Sequence, residues 1–187
     1  MQGMRKRRGI AIGIALFLWL TPGLAGAQSS PSREHRVKAV FLFNFAQFVD
    51  WPDSAFGSPN DPLVVGILGE DPFQEFLDEV VKGESVHGRP IVVKRFKKPE
   101  DIKAVHVLFI GAEETPRLEA ILPALRERHI LTVGESEVFY TRGGMVCFAT
   151  EGGKVRLRIN LEAVQDARLI VSSKLLRLAD TAGPRKE

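Results

Sequence analysis

The residues best suited to chemistry are four histidines, one cysteine and two pairs of adjacent carboxylates. The histidines are far apart, and no two of them have the spacing of a zinc site or lie beside the cysteine. Residues 134–138, GESEV, lack the second glycine of a nucleophile elbow, and no phosphate-binding glycine motif is present. Adjacent carboxylates are ordinary at helix starts. These patterns predict a non-enzymatic protein without a cofactor, with a hydrolase as a distant rival. The residues concerned are His35, His87, His106, His129, Cys147, Glu70, Asp71, Glu113 and Glu114.

Three predicted strands end in a glycine that is followed by polar residues. In open α/β sheets, ligands bind outside the carboxyl ends of the strands. Glycine permits close approach of a ligand to the backbone there, and the next helix start offers free N–H groups. A tight strand-to-helix turn would produce the same pattern, so both interpretations stay open. The candidate ligand-binding residues are Gly69, Glu70, Asp71, Gly111, Glu113, Gly134 and Ser136.

A row of basic residues stands near the C-terminal end. Lys154, Arg156 and Arg158 alternate with three apolar residues, which is typical of a strand with one buried face. The exposed row is either a solvated face that discourages edge pairing or an electrostatic docking stripe for a protein partner.

The segment 37–52, VKAVFLFNFAQFVDWP, has apolar residues nearly all round a predicted helix that ends at Trp51. Its uncharged run is too short for a membrane span, which needs about 20 residues. A helix of this kind must be covered on more than one side. It is either fully buried in the monomer or a core helix whose second face forms a dimer or partner interface. The candidate partner-binding residues here are Lys38, Phe41, Asn44, Phe45, Phe48 and Trp51.

The elements that must position these residues alternate between strands and helices. Such a βαβ rhythm predicts a parallel sheet. A hairpin with Gly152 and Gly153 in its turn then follows. We therefore predict a single-domain α/β fold with a mixed, mostly parallel sheet flanked by helices and a C-terminal β-hairpin. The predicted strands are 62–69, 89–96, 104–111, 129–134, 143–150 and 154–160, and the predicted helices are 37–51, 71–81, 115–128, 161–166 and 172–179.

Residues 1–27 have the layout of a cleavable secretory signal: a basic start, an apolar run at 10–20 and the small residues 25–27. An uncleaved anchor is the alternative. We expect a periplasmic protein with one domain at 28–180 and a flexible tail at 181–187. Four of the 26 Lys and Arg lie in the signal and none of the 23 Asp and Glu does, so the remaining 160 residues carry 22 basic and 23 acidic groups. This balance argues against nucleic-acid binding.

Cys147 is the single cysteine, so an intramolecular disulfide cannot form. It lies in the apolar run MVCFA, which favours a buried, inert thiol. An intermolecular disulfide is the alternative in an oxidising compartment.

Four segments together resemble the YfiR family of exported bacterial α/β proteins: VKAVFLFNFAQFVDWP, GILGEDPF, GESEVFYTRGGMVCFATEGGKVRLRINLEAV and SSKLLRLA. The resemblance runs from about residue 36 to residue 179. It implies a dimeric periplasmic signalling regulator that represses an inner-membrane diguanylate cyclase through the periplasmic domain of that enzyme. It also implies an outer-membrane lipoprotein as a further partner. A stand-alone periplasmic sensor of a small metabolite is the alternative function.

Overall fold

The computed structural model describes residues 31–181, so the predicted signal peptide and nearly all of the predicted tail lie outside the described residues. The chain folds into a single α/β domain built on an eight-stranded, mostly parallel sheet, as the sequence predicts. The helices are α1 (Arg33–Phe48), α2 (Glu75–Val81), α3 (Leu118–Leu125), α4 (Glu137–Thr141), α5 (Leu161–Asp166) and α6 (Ser173–Leu176). The strands are β1 (Val49–Asp50), β2 (Leu63–Leu68), β3 (Ser85–Val86), β4 (Arg89–Phe96), β5 (Val107–Ile110), β6 (Leu131–Gly134), β7 (Val146–Glu151), β8 (Lys154–Ile159), β9 (Ile170–Val171) and β10 (Ala179–Asp180).

The strand order in the sheet is β10-β8-β7-β6-β5-β2-β4-β3. The five strands β4, β2, β5, β6 and β7 pair in parallel. The predicted hairpin is confirmed as the antiparallel pair β7–β8, and β10 then adds in parallel to the outer side of β8. Two further strands, β1 and β9, form a small antiparallel sheet of their own.

The two faces of the sheet carry separate hydrophobic cores. Successive residues of a strand point to opposite faces, so Leu63, Val65 and Ile67 of β2 join one core while Val64 and Leu68 join the other. We call the first side the α1 face, because α1, α2, α5 and α6 cover it. The other side is the α3 face, which α3 and Phe139 of α4 cover.

The helix predicted at 37–51 is longer at its start and shorter at its end. It begins at Arg33, because the Ser32 hydroxyl accepts a hydrogen bond from the His35 N–H at 3.2 Å and caps the first turn. It ends at Phe48, although the position of Pro52 predicts an end at Trp51. Val49 instead pairs with Val171 in the small sheet, which draws the chain into extended geometry.

The prediction that Asp71 caps α2 and that Pro72 is its first residue is wrong, because the helix begins at Glu75. The Asp71 carboxylate accepts hydrogen bonds from the Phe73 and Gln74 N–H groups, at 2.7 and 3.0 Å, and so closes a separate turn. Gln74 has a φ of 52°, a left-handed conformation that separates this turn from the helix.

The helix predicted at 115–128 is a composite. Two 3₁₀ segments, Ala112–Arg117 and Arg126–Arg128, flank α3. The helix predicted at 172–179 is also too long, since α6 ends at Leu176 and β10 follows. Cys147 is buried, as its apolar surroundings predict. Within residues 31–181, no helix is long and apolar enough to cross a membrane.

Candidate partner surfaces

Helix α1 has a buried side and an outer side. Ala39, Leu42 and Phe45 are 0% exposed and pack in the core of the α1 face. Val37 and Val40, one turn apart on the other side, are 40% and 42% exposed. Large apolar residues with this exposure are informative when they share one helix face. We call this pair, together with the exposed Gln47 and the half-buried Asn44, the α1 stripe.

Three phenylalanines fix α1 on the hairpin. The Phe45 ring stacks on Phe148 of β7 with centroids 5.9 Å apart, and Phe41 lies 6.1 Å from Phe148 and 6.3 Å from Phe45. Aromatic pairs at such separations add to the hydrophobic gain from burial. Phe45 therefore contacts the core and offers no surface to a partner, although the helical spacing placed it among the partner-binding candidates.

Lys38 is buried as well, with 3% of its surface exposed. Its ammonium group lies 2.6 Å from a Glu34 carboxylate oxygen and 3.1 Å from Glu135, which follows β6. Glu34 also accepts a hydrogen bond from the Thr150 hydroxyl at 2.8 Å, and the hydrogen bond from Lys38 is the main cause that lowers its pKa. Lys38 thus ties α1 to the strand ends and to the hairpin. Its role is internal to the domain.

The C-terminal candidates of the helix are half-buried. Phe48 and Trp51 pack against the core of the α1 face. The Trp51 ring meets the edge of His106 at a centroid distance of 6.0 Å. Asn44 is the polar exception that the sequence singles out, and among the described residues its side chain makes no hydrogen bond. Asn44 therefore leaves its polar group for solvent or a partner, while the Trp51 Nε1 is buried without a hydrogen-bond partner.

The basic row lies on the opposite face of the sheet from α1. Leu157 and Ile159 of β8 point into the core of the α1 face, so the alternating basic residues point to the α3 face. Arg158 confirms this direction, because it pairs with Glu137 of α4 and lies 4.2 Å above the Tyr140 ring. Only Lys154 and Arg156 are fully exposed. The two sets of partner-binding candidates therefore do not form one surface.

The strand ends at Gly69 and Gly111 do approach each other. The Glu113 carboxylate lies over both glycines, where an added Cβ would collide with it, and accepts a hydrogen bond from the Glu70 N–H. Asp71 closes its own turn and pairs with Arg95 at 2.7 Å. The close approach that these glycines permit is thus made by the chain's own carboxylate.

The third strand end is filled from α4. The Phe139 ring occupies the space beside Gly134 that a Cβ would need. Ser136 caps α4, since its hydroxyl accepts a hydrogen bond from the Phe139 N–H at 3.0 Å. Both residues therefore have structural roles in this conformation. In the sequence, the only sign of these roles is that Ser136 stands three residues before Phe139.

Two of the potentially reactive groups, Cys147 and His106, are buried. Across residues 31–181, no cluster of His, Cys, Asp and Glu could hold a metal ion. Burial raises the pKa of the Cys147 thiol to about 11, so the thiolate form is disfavoured at neutral pH. Burial likewise lowers the pKa of His106 to about 4.

The YfiR/HmsC-like family model matches residues 35–180, which include most of α1, both faces of the sheet and β10. The chain belongs to the YfiR/HmsC-like family. No curated protein matches the sequence. YfiR-like proteins are periplasmic regulators of cyclic-di-GMP signalling that interact with inner-membrane signalling proteins and have no catalytic role.

Sequence reasoning missed three features of this YfiR-like domain. Helix α4 has only five residues, and the small sheet has two residues in each strand, so neither has a measurable periodicity. His106 is far from the other histidines in the sequence, yet its Nδ1 accepts a hydrogen bond from the Val64 N–H at 3.0 Å. Only the Ser136 cap gives a local signal.

Proposed function

We propose that this protein is a periplasmic, non-enzymatic regulator that represses an inner-membrane signalling protein, such as a diguanylate cyclase, through the periplasmic domain of that protein. The family match over residues 35–180 is the observation that carries this proposal. The apolar run at 10–20 and the small residues 25–27 support export through a cleaved signal. The proposed partners also include a second copy of the chain and an outer-membrane lipoprotein.

The geometry favours different binding partners for the two candidate surfaces. The α1 stripe contains two exposed valines and suits a homodimer, in which Val37 and Val40 would be buried against a second copy. Lys154 and Arg156 are exposed on the opposite face and suit an acidic patch on the membrane partner. Because the two surfaces lie on opposite faces, a dimer through α1 leaves the basic row accessible.

A genetic experiment tests the repressor role. Deletion of the gene should raise cellular cyclic-di-GMP and adhesion, and expression of residues 28–187 in the periplasm should reverse both effects. The same domain kept in the cytoplasm should reverse neither. Unchanged cyclic-di-GMP in the deletion strain would remove the diguanylate cyclase from the proposal.

The double variant Val37→Glu/Val40→Glu tests the dimer surface. It should convert a dimer into a folded monomer in light scattering, because two charges would be buried in the interface. Val138→Glu is the matched control, since Val138 is also 40% exposed but lies on α4. A wild-type protein that is monomeric at high concentration, or a double variant that stays dimeric, contradicts this part of the proposal.

The double variant Lys154→Glu/Arg156→Glu tests the docking surface. It should keep the dimer and the fold but lose repression, because it brings like charges against an acidic patch. Arg158 is left unchanged because its pairing with Glu137 belongs to the fold. Lys174→Glu/Arg177→Glu, two exposed residues at α6, is the charge-matched control. Full repression by the Lys154/Arg156 variant would place the docking surface elsewhere.

The small-molecule alternative predicted from the strand ends draws no support from their geometry. Glu113 covers Gly69 and Gly111, and Phe139 fills the space beside Gly134. A ligand at these positions would first have to displace a side chain that the domain already uses.

A further inference from the structure

One long strand of the sheet has an edge that is open over most of its length. β3 pairs with β4 only at Ser85–Pro90 and Val86–Arg89, and the Ile91 N–H donates to the Glu84 carbonyl at 3.1 Å. Beyond Ile91, the outer side of β4 has no backbone partner among residues 31–181. We call residues 92–98, which are the rest of β4 and the two lysines that follow it, the β4 edge. An open edge presents unpaired N–H and C=O groups to a further strand.

Two backbone hydrogen bonds show which groups of β4 are free. The Phe96 carbonyl accepts from the Gly69 N–H at 3.0 Å and so points towards β2, while the Ile91 N–H points towards β3. In a strand with parallel pairing, alternate residues direct their backbone groups to alternate sides. Val93 and Arg95, which follow the phase of Ile91, therefore direct their N–H and C=O groups outwards.

The side chains of the β4 edge would continue the core on both faces. Val92 and Phe96 pack against the core of the α3 face, and Val93 packs against the core of the α1 face. All three are only half-buried. An added strand would cover this remaining apolar surface on the side of the sheet that its apolar residues face.

The charges at the β4 edge select the occupant. Lys94, Lys97 and Lys98 are exposed, and within the described chain none of them forms an ion pair. Arg95 differs, because Asp71 and Asp78 already bind its guanidinium group at 2.7 and 2.5 Å. Antiparallel pairing with a second copy would bring lysines of the two strands together, and like charges across a strand pair are destabilising.

We propose that the β4 edge binds an extended, acidic segment of another protein by strand addition. The backbone groups of Val93 and Arg95 supply the hydrogen bonds, and the three lysines supply the preference for acidic side chains. This inference does not depend on the repressor role or on the two surfaces assigned above.

Hydrogen exchange with a defined probe tests the proposal on the intact domain. The probe is a fluorescein-labelled peptide of about seven residues that alternates valine and glutamate, a length typical of an added strand. It should bind in fluorescence anisotropy, and it should slow exchange of the Val93 and Arg95 amides. Absence of binding at about 1 mM peptide would overturn the proposal. So would binding without protection of these two amides.

Two control peptides separate strand addition from simple charge attraction. A peptide in which lysine replaces glutamate should bind at least about tenfold more weakly if electrostatic complementarity selects the occupant. A peptide with N-methylated amides at alternate positions keeps the glutamates but cannot donate the strand hydrogen bonds, so it should also lose affinity. Equal binding by either control peptide contradicts the proposal.

Variants of the protein test the same two features from the other side. Lys97→Glu/Lys98→Glu should weaken binding of the acidic peptide about tenfold, while Lys82→Glu/Lys103→Glu, two exposed lysines outside the β4 edge, should leave it unchanged. Val93→Pro removes an N–H that the native sheet does not use and should abolish binding. Circular dichroism checks the fold of this variant. If it unfolds, the lysine variants and the N-methylated peptide still decide the outcome.

Discussion

The two faces of the sheet near the hairpin are built in opposite ways. On the α1 face, Phe45 and Phe148 stack beneath a helix that is buried along one whole side. On the α3 face, the same hairpin exposes Lys154 and Arg156 to solvent, and of its three basic residues only Arg158 is partly covered, by a five-residue helix. The same two strands thus make a core on one side and a charged surface on the other. Substitutions should therefore cost stability on the first side and binding on the second.

The largest effect should come from the α1 face. Phe45→Ala removes a ring that is 0% exposed and stacks on Phe148, so we expect the free energy of unfolding to fall by about 3–5 kcal/mol. Urea unfolding measures the loss. Val40→Ala, on the exposed side of the same helix, should change stability by no more than about 0.5 kcal/mol. Similar losses for both variants would mean that α1 is covered on its outer side as well.

Lys38→Met should have the next largest effect. It removes the cation between Glu34 and Glu135 and leaves Glu135, which is largely buried, without its partner. Glu34 is partly exposed, so solvent can replace its contact with Lys38. We therefore expect a loss of about 1–3 kcal/mol in the free energy of unfolding. Lys154→Met, the same change on the exposed face, should stay within about 0.5 kcal/mol. If Lys38→Met leaves the free energy of unfolding unchanged, solvent screens the charges of Lys38, Glu34 and Glu135.

A lower pH should destabilise the domain through His106, which lies directly before β5. Burial lowers the pKa of His106 to about 4 in the folded protein, while its ordinary value is 6.5. Below pH 6.5, His106 is protonated in the unfolded chain but stays neutral in the folded protein. The free energy of unfolding should therefore decrease as the pH falls from 6.5 to about 4. His106→Gln should flatten this part of the profile. His87→Asn, at an exposed histidine, should leave it unchanged.

The smallest effects should come from the basic row. Arg158→Ala removes an ion pair with a largely exposed Glu137 and a contact above Tyr140, and we expect a loss of about 0.5–1 kcal/mol. Arg156→Ala should be neutral within about 0.5 kcal/mol. Thermal unfolding of both variants measures the difference. A larger loss for Arg156 than for Arg158 would contradict the placement of the row.

The fold could be predicted well wherever a segment has a strong period of its own. Strand β4 and helix α5 have the predicted bounds, and the alternation in β8 indicates its buried side correctly. The sequence could not show which face of the sheet that buried side meets. That choice depends on the pairing of β8 with β7 and on the position of α1, both of which are set by tertiary packing.

The candidate site was harder to predict because residue type does not reveal a side chain's partner. Lys38 and Phe45 have the spacing of a surface stripe, yet Glu135 and Phe148, about a hundred residues later, draw both inwards. The strand-end glycines were correctly located at the ends of β2 and β6. Their neighbours Glu113 and Phe139 then fill the space that a ligand would need. The contacts of Lys38, Phe45 and Gly69 join distant segments of the chain, so no local window of the sequence reveals them.

The small sheet also bears on the order in which the domain forms. Val49, at the end of the first helix, pairs with Val171, close to the last described residue. A ribosome releases the N-terminal part first, so α1 exists long before its final partner strand has been made. Closure of so long a loop slows folding and leaves apolar surface exposed in the meantime. After the predicted signal at residues 1–27, the phenylalanine-rich helix is therefore the first apolar segment of the domain that a chaperone would meet during synthesis.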